Sequence, residues 1–304
     1  LPIWEAAPAL SNIFSNLGIT FLKNCLTKIR FDENILEFSD GLQLSYEFLV
    51  ICTGSVNSSF SVKGVDENCY FFNNLDDLHK LKSLLQKIQN NSIKKNLFII
   101  GAGPSGVEIA CKVNDICKNK FDISIVERSN EILSKNKVFN REEAEKALES
   151  RKINLLLNST VKEISDHKIS ILYNSEVKDI DQDIVIWTAG VKPNLPFIHE
   201  KVTQINGRIL VNEKFQIDNF TNSFAIGDIA IIKGMEDLPL TAQVAMQQGN
   251  HLARNIELFS QEKELLPFEF QDNGEMISLG IGGASISALG VTFSGKLAFE
   301  ARRL

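Results

Sequence analysis

Short apolar runs broken by turn residues open the chain, and their spacing predicts strands. Gly18-Ile19-Thr20-Phe21 leads into residues 26–31 and then 35–38; a turn at Asp40-Gly41 precedes 42–44 and 48–51. That series ends in Cys52-Thr53-Gly54-Ser55, a turn of small residues. The period then changes. Leu78, Leu81, Leu84, Leu85 and Ile88 recur at helical spacing, so residues 76–88 read as a helix whose stripe packs into a core. Leu97-Phe98-Ile99-Ile100 reads as a buried strand, and Val107, Ala110, Val113, Asn114 and Cys117 lie along one side of the helix that follows. Ile123-Ser124-Ile125-Val126 is the next strand. A helix carrying the charges of 142–149 precedes strands at 153–157, 161–164, 169–173 and 184–187, the last ending in Thr188-Ala189-Gly190. Ser223-Phe224-Ala225-Ile226 is a short strand ending in Gly227-Asp228; after a linker at 233–239, a helix begins at 241. No residue from 276 to 295 is charged, long enough to span a bilayer. Five glycines (Gly280, Gly282, Gly283, Gly290, Gly295) and several hydroxyls break that run, which predicts short strands joined by glycine turns instead.

The segment around residue 100 carries the sharpest chemistry. A β-branched strand feeds Gly101-Ala102-Gly103-Pro104-Ser105-Gly106, a helix follows, and the next strand ends in Glu127. An acid about twenty residues beyond the glycines is the dinucleotide-binding spacing. Gly101 allows the tight turn, Gly103 lets backbone approach a pyrophosphate, and Gly106 lets the helix pack close to the strand. The helix N-terminus faces the anion. This motif usually opens a domain, so something else occupies the first third of the chain.

Composition narrows the field. The chain has 304 residues, 44% hydrophobic and 23% charged, enough for two domains with cores of their own. A net charge of −6 and no Arg/Lys-rich run exclude nucleic acid as the expected partner. The five cysteines (Cys25, Cys52, Cys69, Cys111, Cys117) form no C-x-x-C pair and read as buried, reduced thiols; Cys111 and Cys117 fall on different faces of their helix. His79, His167, His199 and His251 are scattered without metal-ligand spacing, so no metal is expected. These residues contain no secretory signal, but the chain starts at Leu1 rather than Met, so a missing N-terminus could hide one.

A second set of residues suits a cofactor. Asp228, at the end of a strand, can accept hydrogen bonds from polyol hydroxyls, although Gly-Asp is also an ordinary turn. On the helix from 241, Ala242, Ala245 and Gly249 leave one face flat enough for a planar ring. Gln243 and Gln247 share an i, i+4 stripe, either as solvated amides or as donors to a carbonyl-bearing ligand.

Taken in order, Thr53-Gly54, GAGPSGVE, WTAGVKPN, FAIGD and AQVAMQQG resemble the type II NAD(P)H:quinone oxidoreductases over essentially the whole chain. Ile3-Trp4-Glu5-Ala6-Ala7-Pro8, Gly18-Ile19-Thr20-Phe21-Leu22 and the Arg302-Arg303-Leu304 ending are similar to the cyanobacterial and plastid branch, the demethylphylloquinone or plastoquinone reductases. The resemblance implies an α/β fold of two interleaved Rossmann-like dinucleotide-binding domains, disulfide-reductase-like, with a small β-rich C-terminal part. FAD and NAD(P)H would be the cofactors. Thr53, Gly54, Gly227, Asp228, Ala242 and Ala245 would border FAD, with Asp228 on its ribityl–phosphate region. Gly101, Gly103, Pro104, Ser105 and Gly106 would cradle the NAD(P)H pyrophosphate. Glu108, Ala189 and Gly190 would lie near the nicotinamide, and Gln243 and Gln247 would border the quinone. With flavin chemistry, no side chain need be a catalytic nucleophile.

The expected division is an FAD domain of 1–62 and 192–256, an NAD(P)H domain of 63–191 and a β-rich segment of 257–304. The family's own first glycine turn for FAD has no counterpart before residue 101, so the chain reads as truncated at both ends, and whether it holds FAD alone is left open. A quinone is the expected substrate, with the full-length protein intracellular and peripheral on the cytoplasmic or thylakoid membrane; a homodimer is compatible. Two other readings stay open: a flavoprotein reductase of a ferredoxin-like protein, and a non-catalytic NAD(P)H-binding interaction module. Glu127 favours NADH by accepting from the ribose 2′-OH, whereas Arg128 beside it can pair with a 2′-phosphate or be merely solvated. Use of both nucleotides is the expectation, with Glu127 limiting NADPH and Arg128 rescuing it.

Overall fold

Five parallel strands form the centre of the unit built from Asn57–Val191 and Asp272–Leu304. Their order is Cys69–Phe71, Ile184–Trp187, Lys95–Ile100, Phe121–Val126, Asn154–Leu156. Residues 97–100 and 184–187 are buried without interruption, as parallel strands covered on both faces require. Helices Leu75–Gln89, Pro104–Cys117 and Val138–Ser150 supply Leu81, Leu85, Val107, Ala110, Cys111 and Leu148 to the core on one face. On the other face, Val161, Ile169 and Ile171 from an antiparallel sheet (Thr160–Ile164, Lys168–Tyr173, Glu176–Asp181) pack against Phe98, Ile100, Val126 and Trp187. The computed structural model describes residues 7–89, 94–118, 120–195 and 200–301. Residues 1–6, His199 and 302–304, with the terminal motifs read above, lie outside the described residues.

The other unit comprises Leu1–Val56 and Lys192–Gln271. Its six-stranded sheet runs Gln204–Ile205, Arg208–Val211, Gln216–Ile217, Phe220–Ala225, Leu49–Ile51, with Ala230–Ile232 beside Arg208–Val211. Leu49–Ile51 and Phe220–Ala225 are parallel neighbours although far apart in sequence, with Val50 opposite Phe224 and Ile51 opposite Ala225. Phe215, Phe224 and Phe268 are fully buried here, and Phe215 and Phe268 pack at a centroid distance of 5.1 Å. Leu26–Arg30, Ile35–Phe38 and Gln43–Ser45 form a separate antiparallel sheet. The helix Ala242–Ser260 starts where its N-cap, Thr241, accepts from the Val244 N–H at 3.3 Å.

Several expectations differ from this structure. Residues 18–25 form no strand; a helix at Leu10–Asn16 precedes them. Residues 257–304 are not a part of their own, since 257–271 go with the first unit and 272–304 with the second; 57–62 also belong to the second. The uncharged 276–295 run is the sheet Glu275–Ser278, Ala284–Ala288, Val291–Gly295. Cys25 and Cys52 are exposed, while Cys111 and Cys117 are both buried. Their helix is covered on more than one side, by the sheet and by Ile277 and Leu279 of the C-terminal segment, so separate faces are both interior.

Candidate dinucleotide sites

In the second unit, the strand Lys95–Ile100 has Phe121–Val126 on one side and Ile184–Trp187 on the other. Strand order reverses there, the place where open α/β sheets leave a crevice at their carboxyl ends. The parallel register sets Ile100 beside both Val126 and Trp187, so three turns emerge together: Gly101–Gly106, Glu127-Arg128 and Thr188-Ala189-Gly190. Thr188 Oγ1 donates to the Ile100 carbonyl at 2.9 Å and so ties two of these strand ends.

The three motif glycines do different work. Gly101 has φ +102°, and a Cβ there would sit 2.9 Å from Ala189 Cα. A Cβ at Gly106 would lie 2.0 Å from the Gly101 carbonyl oxygen, so only glycine lets this helix approach its strand. At Gly103 the backbone is ordinary and a Cβ would meet no protein atom within 4 Å. The bare Cα therefore faces open space over the helix N-terminus, where exposed Gly103, Pro104 and Ser105 border it. That fits a pyrophosphate approaching backbone N–H groups.

Glu127 is held more firmly than its motif suggests. Its Oε2 accepts from the Ala102 N–H and its Oε1 from the Ser129 N–H, both at 2.8 Å. The acid thus braces the glycine turn as well as edging the crevice. Arg128 is exposed beside it. A cavity of about 290 Å³ opens here, with Glu127, Arg128, Ser159, Thr160, Trp187 and Phe60 among its walls. Glu108 Oε1 accepts from the Ser278 N–H at 2.8 Å, which anchors the C-terminal sheet to the glycine-turn helix.

In the first unit, two strand ends also meet. Ile226 N–H donates to the Ile51 carbonyl at 3.1 Å, so Cys52-Thr53-Gly54 and Gly227-Asp228 leave neighbouring parallel strands side by side. Gly54 has φ +67° and Gly227 φ +74°, and a Cβ at Gly54 would meet nothing. Asp228 Oδ2 accepts from Ser55 Oγ at 2.7 Å, a contact that the sequence pattern did not flag. This carboxylate, exposed Thr53, half-buried Gly54 and the N-terminal stretch of Ala242–Ser260 fit the polyol and ring side of FAD. No glycine turn for its adenylate side precedes residue 101.

The glutamines divide their labour differently from the expected shared stripe. Gln248, which is 4% exposed, accepts from the Gly227 N–H and holds the Gly-Asp turn against the helix. Gln247 donates to the Gln271 carbonyl at 2.8 Å and accepts from the Gln271 N–H at 3.0 Å, pinning the segment before 272. Gln243 is half-buried, and Ala245 lies 3.8 Å from the position of a Gly227 Cβ. Ala242 is exposed at the helix start. All five cysteines are free thiols, and the described residues hold no cluster of His, Cys, Asp and Glu suited to a metal ion.

A family model described as pyridine nucleotide-disulphide oxidoreductase matches residues 4–249. Demethylphylloquinone reductase NdbB of Synechocystis is 33% identical over 310 residues, covering 99% of this chain and 76% of that protein. Alternative NAD(P)H-ubiquinone oxidoreductase C1 of Arabidopsis thaliana is 29% identical over 341 residues, with 99% and 66% covered. Type II NADH:quinone oxidoreductase of Staphylococcus aureus is 26% identical over 305 residues, with 92% and 75% covered. The chain therefore spans two-thirds to three-quarters of the length of these relatives. Among solved structures, NDH2 from Plasmodium falciparum in complex with NADH superposes with a TM-score of 0.80 at 17% identity, covering 93% of this chain and 79% of that one. At that identity the likeness shows the fold. The matched model and these relatives together place the chain: it belongs to the pyridine nucleotide-disulphide oxidoreductase family and, within it, to the type II NAD(P)H:quinone oxidoreductases.

Proposed function

We propose that this chain transfers electrons from NAD(P)H through FAD to a membrane quinone of the plastoquinone or demethylphylloquinone type. One observation carries the reading: two separate sheets each bring two glycine-bearing strand ends side by side at a carboxyl edge. One pair suits a pyrophosphate and the other a polyol. The absence of a redox cysteine pair among five free thiols, and relatives named as quinone reductases, support a quinone acceptor.

FAD, when bound, supplies two-electron redox chemistry between the reduced nucleotide and the quinone. The chain's own residues position and exclude. N–H groups at Gly103, Ser105 and Gly106 would hold a pyrophosphate at the helix N-terminus. Asp228, oriented by Ser55, would offer ribityl hydroxyls a charge-assisted acceptor. Gln243, Ala242 and Ala245 would border the isoalloxazine and quinone, with Gln247 acting on that border through the backbone it pins. Glu127 and Arg128 would set nucleotide choice, the acid favouring NADH and the guanidinium admitting a 2′-phosphate.

Peripheral attachment to a cytoplasmic or thylakoid membrane belongs to the same proposal, as does a homodimer of the full-length protein. No described helix is long and apolar enough to cross a membrane. The test is a panel of quinones and a ferredoxin, assayed with NADH and NADPH on the full-length protein. Quinone reduction with retained FAD is expected. Ferredoxin reduced in preference to every quinone, or purified protein without flavin or turnover, would overturn it.

A further inference from the structure

We propose that Phe60 stacks on the adenine of bound NAD(P)H and forms one wall of a dedicated adenine pocket. The inference rests on the nucleotide reading of the second unit. Phe60 is 62% exposed, an unusual place for a phenylalanine, yet it is held firmly. It and Ser61 have φ of 49° and 58°, a left-handed pair without glycine. Such backbone persists only where surroundings enforce it. The enforcing contacts are present: Trp187 Nε1 donates to the Ser58 carbonyl at 2.8 Å, Ser58 N–H donates to the Gly190 carbonyl at 3.1 Å, and Phe60 N–H donates to Ser58 Oγ at 3.3 Å. The ring lies on Gly190, where a Cβ would come within 2.5 Å of Phe60 Cζ. Gly190 is therefore a seat for the ring, not only a point where backbone approaches a ligand.

Phe60 lines the 290 Å³ cavity together with Glu127, Arg128, Val161 and Trp187. An acid after the second strand of such a unit reads the adenosine ribose. The base on that ribose is then what falls between the apolar walls, and the exposed ring offers it a π-face. Ala189 is also on the cavity wall, which puts Ala189 and Gly190 at the adenosine end rather than at the nicotinamide end, where the family resemblance sets them, and nicotinamide is not what this cavity would take.

Equilibrium titration of the full chain with NADH, ADP-ribose and nicotinamide mononucleotide tests the assignment. Base–aromatic stacking predicts that Phe60→Ala weakens NADH and ADP-ribose by about tenfold and leaves the mononucleotide unchanged. Phe60→Tyr should keep the parent affinities, and Phe60→Leu should fall between. Gly190→Ala should reproduce Phe60→Ala by unseating the ring. Unchanged ADP-ribose affinity in Phe60→Ala and Phe60→Leu, with circular dichroism of the parent, would overturn the proposal. So would weakening of the mononucleotide alone. Failure of the parent chain to bind NADH at all would instead remove the nucleotide reading beneath it.

Discussion

Gly103 and Gly106 stand three residues apart in one motif, yet they should fail differently when replaced. Gly106→Ala drives a Cβ into a backbone oxygen, so helix and strand must separate. The expected loss is about 1–3 kcal/mol in denaturant unfolding, together with NADH binding. Gly103→Ala meets no protein atom and has an ordinary φ, so its midpoint should stay near the parent's while NADH affinity falls. A large stability loss in Gly103→Ala would show that the open space is not a ligand's. Glu127 carries a similar warning. Because it holds the Ala102 and Ser129 N–H groups, Glu127→Ala should loosen the turn and weaken NADH, so a gain in NADPH use is clearest in Glu127→Gln. Arg128→Ala should raise the KM for NADPH far more than for NADH; equal rises would exclude it as reader of the phosphate. The thiols follow burial. It pushes the Cys69 thiol up to about 12, aided by Asp66, and the Cys111 thiol up to about 11. At pH 8, alkylation followed by mass spectrometry should mark exposed Cys25 well before either.

Between elements, the clasp on the C-terminal segment is ionic and should respond to acid. Arg151 Nε donates to Asp115 Oδ1 at 2.7 Å; Asp115 Oδ2 accepts from the Ile281 N–H, and Arg151 Nη2 donates to the Leu279 carbonyl. Burial raises the Asp115 pKa, but Arg151 and the Ile281 N–H outweigh it and hold the carboxyl below its ordinary 3.8. A depressed folded-state pKa means the contribution is complete above that ordinary value and is lost as pH falls through the lower, folded one. Asp115→Asn should therefore cost about 1–2 kcal/mol at neutral pH, with the difference from the parent vanishing in strong acid. A pH-independent difference would assign the cost to packing. Gly280 belongs to the same clasp, since a Cβ there would fall 2.1 Å from Asp115 Oδ2.

At the scale of the whole chain, each unit has a hydrophobic core of its own, and the residues proposed for flavin and for nucleotide fall in different units. Asp228→Ala in the full-length protein should lose FAD yet keep its NADH affinity, measured by flavin absorbance and by titration. Loss of both together would argue against separate sites. What the sequence determined by itself was local: the glycine turn with its strand, helix and acid, the Gly-Asp strand end, and the helix from 241. Each is written in residues a few positions apart, where period, φ preference and hydrogen bonding act directly. Tertiary structure decided what depends on distant partners. Gln248 rather than Gln247 reaches Gly227, Glu108 turns to Ser278, Ser55 orients Asp228, and 272–304 joins the unit of 57–191. Neighbouring amides and carboxylates are equivalent in a sequence pattern; only the packing of remote segments selects which one finds a buried partner, because an unmet polar group there is costly.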